Sequence, residues 1–290
     1  MLSMANVLSN ADRTAVIAAL VEGCSIRSTA RMTGVARNTV TKLLLDLAKV
    51  CAAYSDEKLV HLPCKRVQVD EIWEFCYAKA KNVPAAKKGV FGFGDVWTFV
   101  AIDADTKLVP SWLVGSRDVG SATELMQDLV SRLANRVQLT TDGLKAYVSA
   151  VEDAFGGEVD FAQLVKIYAN APTGPETRYS PAECTGTQKH AIVGCPDKKH
   201  VSTSFVERQN LTMRMSMRRF TRLTNGHSKK LENHAAAIAV HFCHYNFCRV
   251  HMTLGKGVTP AMAAGIATRK LEIADLIAIL PDSENKAGSK

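Results

Sequence analysis

The spacing of apolar residues divides the chain into an opening stretch of helical period and a longer one in which period-two runs alternate with period-3.6 runs. In residues 12–20, Val16, Ile17 and Leu20 recur at helical spacing until Gly23 breaks the run. Ser25 is placed to cap a second helix ending near residue 32, Thr33-Gly34-Val35 makes a tight turn, and residues 37–48 carry Val40, Leu43, Leu44 and Leu47 on one face. The pattern predicts a helix-turn-helix. Ala30 is small where two helices would cross, Gly34 can adopt a positive φ, and Val35, Val40 and Leu43 would hold the third helix on the second. The helix is prolonged beyond Lys49, turns polar and reaches Leu62-Pro63, so a linker is expected at 52–62.

Residues 65–75 then read as a strand with Asp70 inside it. Residues 95–102 and 107–114 are two more β-rich runs, joined by Asp103-Ala104-Asp105-Thr106 as a hairpin. Over 121–133 the period changes: Leu125, Leu129 and Leu133 line one face, with Ser121 as cap and Glu124 completing a capping box. Residues 136–143 return to strand character and end on Asp142-Gly143, 144–155 read as a helix, and 161–168 as a last core strand. The stretch 169–200, rich in Pro, Gly, Thr and Lys, is expected to be an insertion. Ser202, Thr203 or Ser204 caps a helix reaching about residue 220, on which Glu207, Asn210 or Leu211, and Arg214 share a face. Residues 231–247 form a core helix whose Ala235, Ala236, Ile238, Ala239 and Phe242 are expected to pack on the sheet. The result is an α/β fold, a mixed sheet flanked by helices behind a small all-α domain. Its expected divisions are a helix-turn-helix domain at 1–51, the linker at 52–62, an α/β domain at 63–255 and a tail at 256–290.

Composition sharpens this picture in one respect. The 36 Lys and Arg exceed the 28 Asp and Glu, giving a net charge of +8 that favours polyanionic partners. The charge is localised: Arg37, Asn38, Thr39, Thr41 and Lys42 lie on the polar face of the third helix, whose first turn would enter a DNA major groove. Arg208, Arg214, Arg218, Arg219 and Arg222 cluster on the 202–220 segment. The eight cysteines contain no CxxC pair and follow no secretory signal, so they read as reduced thiols of a cytoplasmic protein. No run approaches the roughly 20 apolar residues of a membrane span.

Three acids carry candidate chemistry. Asp70 sits within the first strand, Asp142 ends the fourth and Glu207 lies one turn into a late helix. Singly each has a plain structural reading: Asp70 as partner of Lys65 or Arg66, Asp142 as cap of the next helix, Glu207 as partner of Arg214. Jointly they suit hard divalent cations, because Mg²⁺ needs only one or two carboxylates beside substrate phosphates. Phosphodiester cleavage with two such ions requires no denser ligand set.

The strings VQVDEIW, LTTDG and STSFVERQNLTMRMSMRR, with YNFCRVHMTL downstream, resemble the insertion-sequence transposases of the IS-one family, over nearly the whole chain to about Gly265. The resemblance implies an RNase H-like catalytic domain in which Asp70, Asp142 and Glu207 bind Mg²⁺ or Mn²⁺, two ions being expected. It implies that Arg214 contacts DNA near the site, that double-stranded DNA, as element ends and target, is the partner, and that 3′-OH ends are transferred to target DNA. A homodimer or larger synaptic complex and a place at the nucleoid follow. Arg37, Asn38, Thr39, Lys42, Arg218 and Arg219 complete the expected DNA contacts. The alternative is a DNA-binding regulator derived from such an element, without strand transfer. Cysteine pairs often found ahead of the helix-turn-helix in that family do not occur before Ala11.

Other groups have quieter readings. Glu71 should point to the opposite strand face from Asp70, away from the site. Asp103 and Asp105 are turn formers. His241 and His244, with Cys243, Cys248 and His251 nearby, could suggest zinc, but the second pair lacks an accepted zinc spacing and the preferred reading is the 231–247 core helix. The resemblance sets Tyr245, Asn246, Arg249 and His251 in a polar corner near the catalytic helix.

Overall fold

The computed structural model describes residues 8–169, 183–221 and 224–281. Arg222, residues 170–182 of the expected insertion and residues 282–290 of the expected tail lie outside them. The chain forms two compact units, one from Met1–Leu59, Trp73–Val96 and Leu211–Lys290, the other from Val60–Ile72 and Trp97–Asn210.

The first unit opens with α1 (Asn10–Val21), capped by Ser9, whose hydroxyl accepts from the Asp12 amide. Ser25 caps α2 (Ile26–Thr33) in the same way, and the helix stops at Gly34, whose φ of 72° is the left-handed conformation that favours glycine. α3 (Arg37–Lys58) buries Val40, Leu43, Leu44 and Leu47. It continues unbroken over much of the stretch expected as linker. The reason is packing: its apolar stripe runs on through Ala48 and Cys51 and meets α7 (Leu231–Phe247), with Tyr54 edge-on to Phe247 at 5.0 Å. α7 thus has α3 as its chief neighbour, where packing on the sheet was expected. The stretch after 256 is ordered into α8 (Pro260–Ala263), capped by Thr259, and α9 (Ile273–Ala278), which lies on α1 and α3.

The second unit is built on a sheet. Among the described residues its strands are β1 (Arg66–Cys76), β2 (Gly94–Asp103), β3 (Ser111–Gly115), β4 (Val137–Asp142), β5 (Val159–Tyr168) and β6 (Cys184–Val193), in the spatial order β3-β2-β1-β4-β5-β6. β1 and β2 contribute residues to both units. β1, β4 and β5 pair in parallel, whereas β2 with β3 and β5 with β6 are antiparallel. This is the mixed, helix-flanked sheet of an α/β fold that the sequence predicts. α4 (Val119–Arg132) and α5 (Ala146–Phe155) pack together, burying Leu125, Met126, Leu129, Tyr147 and Val151. α6 (Ser204–Ser216) follows β6.

Two local expectations change. Asp118 caps α4, its carboxylate accepting from the Ser121 amide, so the helix begins before the Ser121 cap read from the sequence. An extended Asp one turn earlier offers the stronger acceptor. Part of the expected insertion is β6, an edge strand exposed along nearly its whole length, so no hydrophobic alternation announces it.

Candidate metal centre

The register of the parallel strands brings two of the three acids together. Val69 of β1 lies opposite Thr141 of β4, so Asp70 and Asp142 are the next residues along adjacent strands. The first residues of α6 cover this part of β1: the Gln68 side-chain carbonyl accepts from the Phe205 amide at 2.8 Å and from the Val206 amide at 3.2 Å. One turn further along α6, the Asn210 amide donates to Asp70 Oδ2 at 3.0 Å. Glu207 and Asn210 stand three residues apart and so share a helix face.

Glu71 departs from expectation. Strand alternation does hold in its contacts: Gln68 and Asp70 meet α6, whereas Glu71 accepts from Tyr147 of α5 at 3.0 Å and from Arg117 at 2.6 Å. Even so, one carboxylate oxygen each of Asp70, Glu71 and Asp142 lies within 4.8 Å of the others, the one group of this kind among the described residues. The two faces meet here because β4 ends at Asp142, so no further β4 residue separates them. The signal available in the sequence was the doublet itself, an acid pair at the end of a parallel pairing.

Glu207 stands outside that group. Lys166 of β5 holds its carboxylate at 2.6 Å, and the Thr203 hydroxyl donates to it as well. Leu164 is paired with Asp142, which sets Lys166 two residues further along the same face of β5. Glu207 is near enough for its charge to raise the carboxyl pKa of both Asp70 and Asp142.

The electrostatics single out Asp70. Burial, reinforced by Glu71 and Asp142, pushes its carboxyl up to about 7, and among the described residues no cation pairs with it. Burial also raises Asp142, against the opposing pull of the Leu144 amide and of Arg117, whose guanidinium is 4.0 Å away. Glu71 is raised by burial and opposed by Arg117, which stacks over Trp97. At this spacing two ionised carboxylates repel by about 3 kcal/mol if the effective dielectric is about 20. Ionising all of them together therefore calls for a cation. The donor set fits one of hard oxygen chemistry: carboxylate oxygens, and the buried Asn210 Oδ1, which has no hydrogen-bond partner.

The basic residues can be placed as well. Arg37 and Asn38 are exposed in the first turn of α3, Thr39 is half-buried, and Lys42 pairs with Asp46 at 2.8 Å. Arg214, in the last turn of α6, reaches the Phe220 carbonyl at 3.4 Å. Arg218 is exposed, whereas Arg219 is half-buried and donates to Ser228 Oγ at 2.8 Å. Asp103 accepts from the Thr106 amide and hydroxyl as a turn former does, and Asp105 pairs with Arg66.

No protein-family model matches the chain, and no curated protein matches it in sequence. Solved structures do resemble it. The Mos1 mariner paired-end complex with Mn is 13% identical, with 54% of this chain and 58% of that one covered and a TM-score of 0.23. The Mos1 strand transfer complex is 14% identical, covering 56% and 60%, with a TM-score of 0.24. The piggyBac transposase synaptic complex with hairpin DNA is 12% identical and covers 98% of this chain and 80% of that one, with a TM-score of 0.37. This chain thus spans less than two thirds of the mariner chains it matches. Among the described residues no helix is long and apolar enough to cross a membrane.

Proposed function

We propose that the chain is a DNA transposase of the insertion-sequence type, IS-one-like, acting by metal-dependent strand cleavage and transfer of 3′-OH ends to target DNA. The observation that carries this reading is the convergence of Asp70, Glu71 and Asp142, in which burial and like charge raise the Asp70 carboxyl to about 7 and no cation among the described residues pairs with it.

In this reading Asp70 and Asp142 hold Mg²⁺ or Mn²⁺, joined by Glu207 once Lys166 releases it. Two divalent ions, when bound, supply activation of the attacking oxygen and stabilisation of the departing 3′ oxygen. The residues of the chain do the rest. Asn210 orients Asp70 through its amide. Arg117 and Tyr147 fix Glu71 from the α5 side, which makes Glu71 a positioning residue. Arg214, Arg218 and Arg219 are assigned to the DNA backbone and Arg37, Asn38, Thr39 and Lys42 to the groove, consistent with the excess of cations. A homodimer or larger complex would bring two ends together. In this reading α1–α3 serve end recognition.

The capture of Glu207 by Lys166 favours a second reading, a DNA-binding regulator whose acid site is locked. One experiment separates the two. Purified protein is incubated with candidate element ends, with and without Mn²⁺, and the cut and joined strands are mapped. Metal-dependent nicks and joined products support the transposase. Band shifts without new strand ends support the regulator.

A further inference from the structure

The first unit contains a cavity of about 750 Å³, within the size range of small-molecule sites. One part of its wall is apolar: Leu20, Val21, Ile26, Leu44, Met217 and Val240. The rest is polar and cationic, with Arg27, Arg37, Arg218, Arg219 and Lys229 among its lining residues and, among the described residues, no Asp or Glu with them. Five cations around one void repel each other unless an anion joins them.

Their partners within the chain leave that charge standing. Arg219 donates to a hydroxyl, Ser228 Oγ, and burial lowers its pKa to about 10, so it remains charged near neutrality. Lys229 is 2.7 Å from His227 Nε2, an imidazole held neutral by burial and by Lys229 itself. Two amides, Asn225 and Asn233, also line the cavity, and each offers a donor and an acceptor. Inorganic phosphate would leave the apolar wall unused, and an alkyl phosphate would leave the amides unused.

We propose that this cavity binds a phosphorylated nucleoside, its phosphate on the guanidinium groups and its base between the apolar wall and the Asn amides. Arginine suits the phosphate through paired N–H donors. The nucleoside phosphate has two possible sources, a free nucleotide or an unpaired nucleotide at a DNA strand end. The acid site takes no part, but Arg37, Arg218 and Arg219 are also assigned above to DNA; the variants that test this inference are therefore placed at Arg27, Lys229 and Ala237, which that reading does not use.

The test is calorimetric titration of the full chain with inorganic phosphate, deoxyadenosine, dAMP and a 5′-phosphorylated duplex whose terminal nucleotide is either unpaired or paired. Each ligand is also titrated into the variant Arg27→Ala/Lys229→Ala. Both residues are exposed, and thermal unfolding checks that the variant folds. Ala237→Trp, which fills the cavity without removing charge, is the second variant. The expected result is that dAMP, or the duplex with the unpaired nucleotide, binds at least about tenfold more tightly than phosphate or deoxyadenosine, and that each variant loses about tenfold. Tight dAMP binding identifies the free nucleotide as sufficient, and a preference confined to the unpaired end identifies the strand. Equal affinity for dAMP and phosphate together with no preference for the unpaired end, or affinities unchanged in both variants, would overturn the proposal.

Discussion

Lys166 Nζ lies 2.6 Å from Glu207 Oε2, so the helix residue expected to join Asp70 and Asp142 is held by a cation that belongs to the chain itself. Both side chains are about a third exposed, 31% and 38%, which keeps the pair weak enough to exchange. Burial is the largest single influence on the Lys166 pKa and lowers it, but Glu207, joined by Tyr168 and Asp70, raises it, and the net direction is upward.

Replacing this lysine should therefore free the acid. Lys166→Met is expected to tighten Mn²⁺ binding by about two- to fivefold, the range of a partly exposed ion pair. Calorimetric titration checks it, and unchanged or weaker binding would mean that Glu207 takes no part in holding the metal.

Asp70 gives the metal-free protein a pH dependence of defined sign. Its folded pKa of about 7 lies above an unfolded value of about 4, so between these limits the native state keeps a proton that the unfolded chain has lost. Stability should fall as pH rises from about 4 to about 7 and level off above. Urea midpoints across this range, without divalent ions, should show the fall in the wild type and a smaller one in Asp70→Asn. Equal slopes for both proteins would remove Asp70 as the cause.

Adjacent acids should behave oppositely. Glu71 has a side chain 1% exposed, bonded to Arg117 and Tyr147, so Glu71→Ala strands a buried phenol and should cost about 2–3 kcal/mol. Asp70→Ala removes a buried carboxylate that forms no ion pair among the described residues and should be neutral or stabilising near pH 7.5. Thermal or urea unfolding of the two variants decides the matter, and the reverse ranking would exchange the structural and metal-binding roles assigned to them.

The basic residues separate in the same manner. Arg37→Ala or Asn38→Ala is expected to weaken binding to element ends more than to random DNA, whereas Arg218→Ala should weaken both alike and lower the salt slope by about one. Arg219→Ala should also lower the unfolding temperature, because it removes the bond to Ser228. A gel-shift series over salt on specific and random duplexes measures the first two effects; equal losses on both duplexes for Arg37→Ala would exclude groove reading.

What could be read from the chain tracks how strongly each segment is buried. α7 coincides with the expected 231–247 helix because it carries a dense apolar pattern, and β4 ends on Asp142 as read, its Val137 and Leu139 alternating with polar residues. β6 was hidden because an exposed edge strand needs no apolar face, only the backbone of β5 to pair with. The length of α3 depended on a partner 193 residues away, Phe247 against Tyr54, which no local pattern encodes. At the site, strand spacing predicted correctly that Asp70 and Glu71 have different neighbours. It could not show that both sit where β4 stops, so that faces separate elsewhere in the sheet are joined by side-chain reach. Nor could it show Lys166, which reaches Glu207 only through the pairing of β4 with β5.

The central claim, that acids distant in sequence hold one divalent-ion site, is tested most directly by Mn²⁺ binding to the purified protein without DNA, followed by electron paramagnetic resonance. The wild type should bind Mn²⁺ saturably, and Asp70→Asn and Asp142→Asn should each weaken it by at least about tenfold, with Glu207→Gln showing a smaller loss that Lys166→Met does not add to. Unchanged Mn²⁺ binding in both aspartate variants would contradict the account.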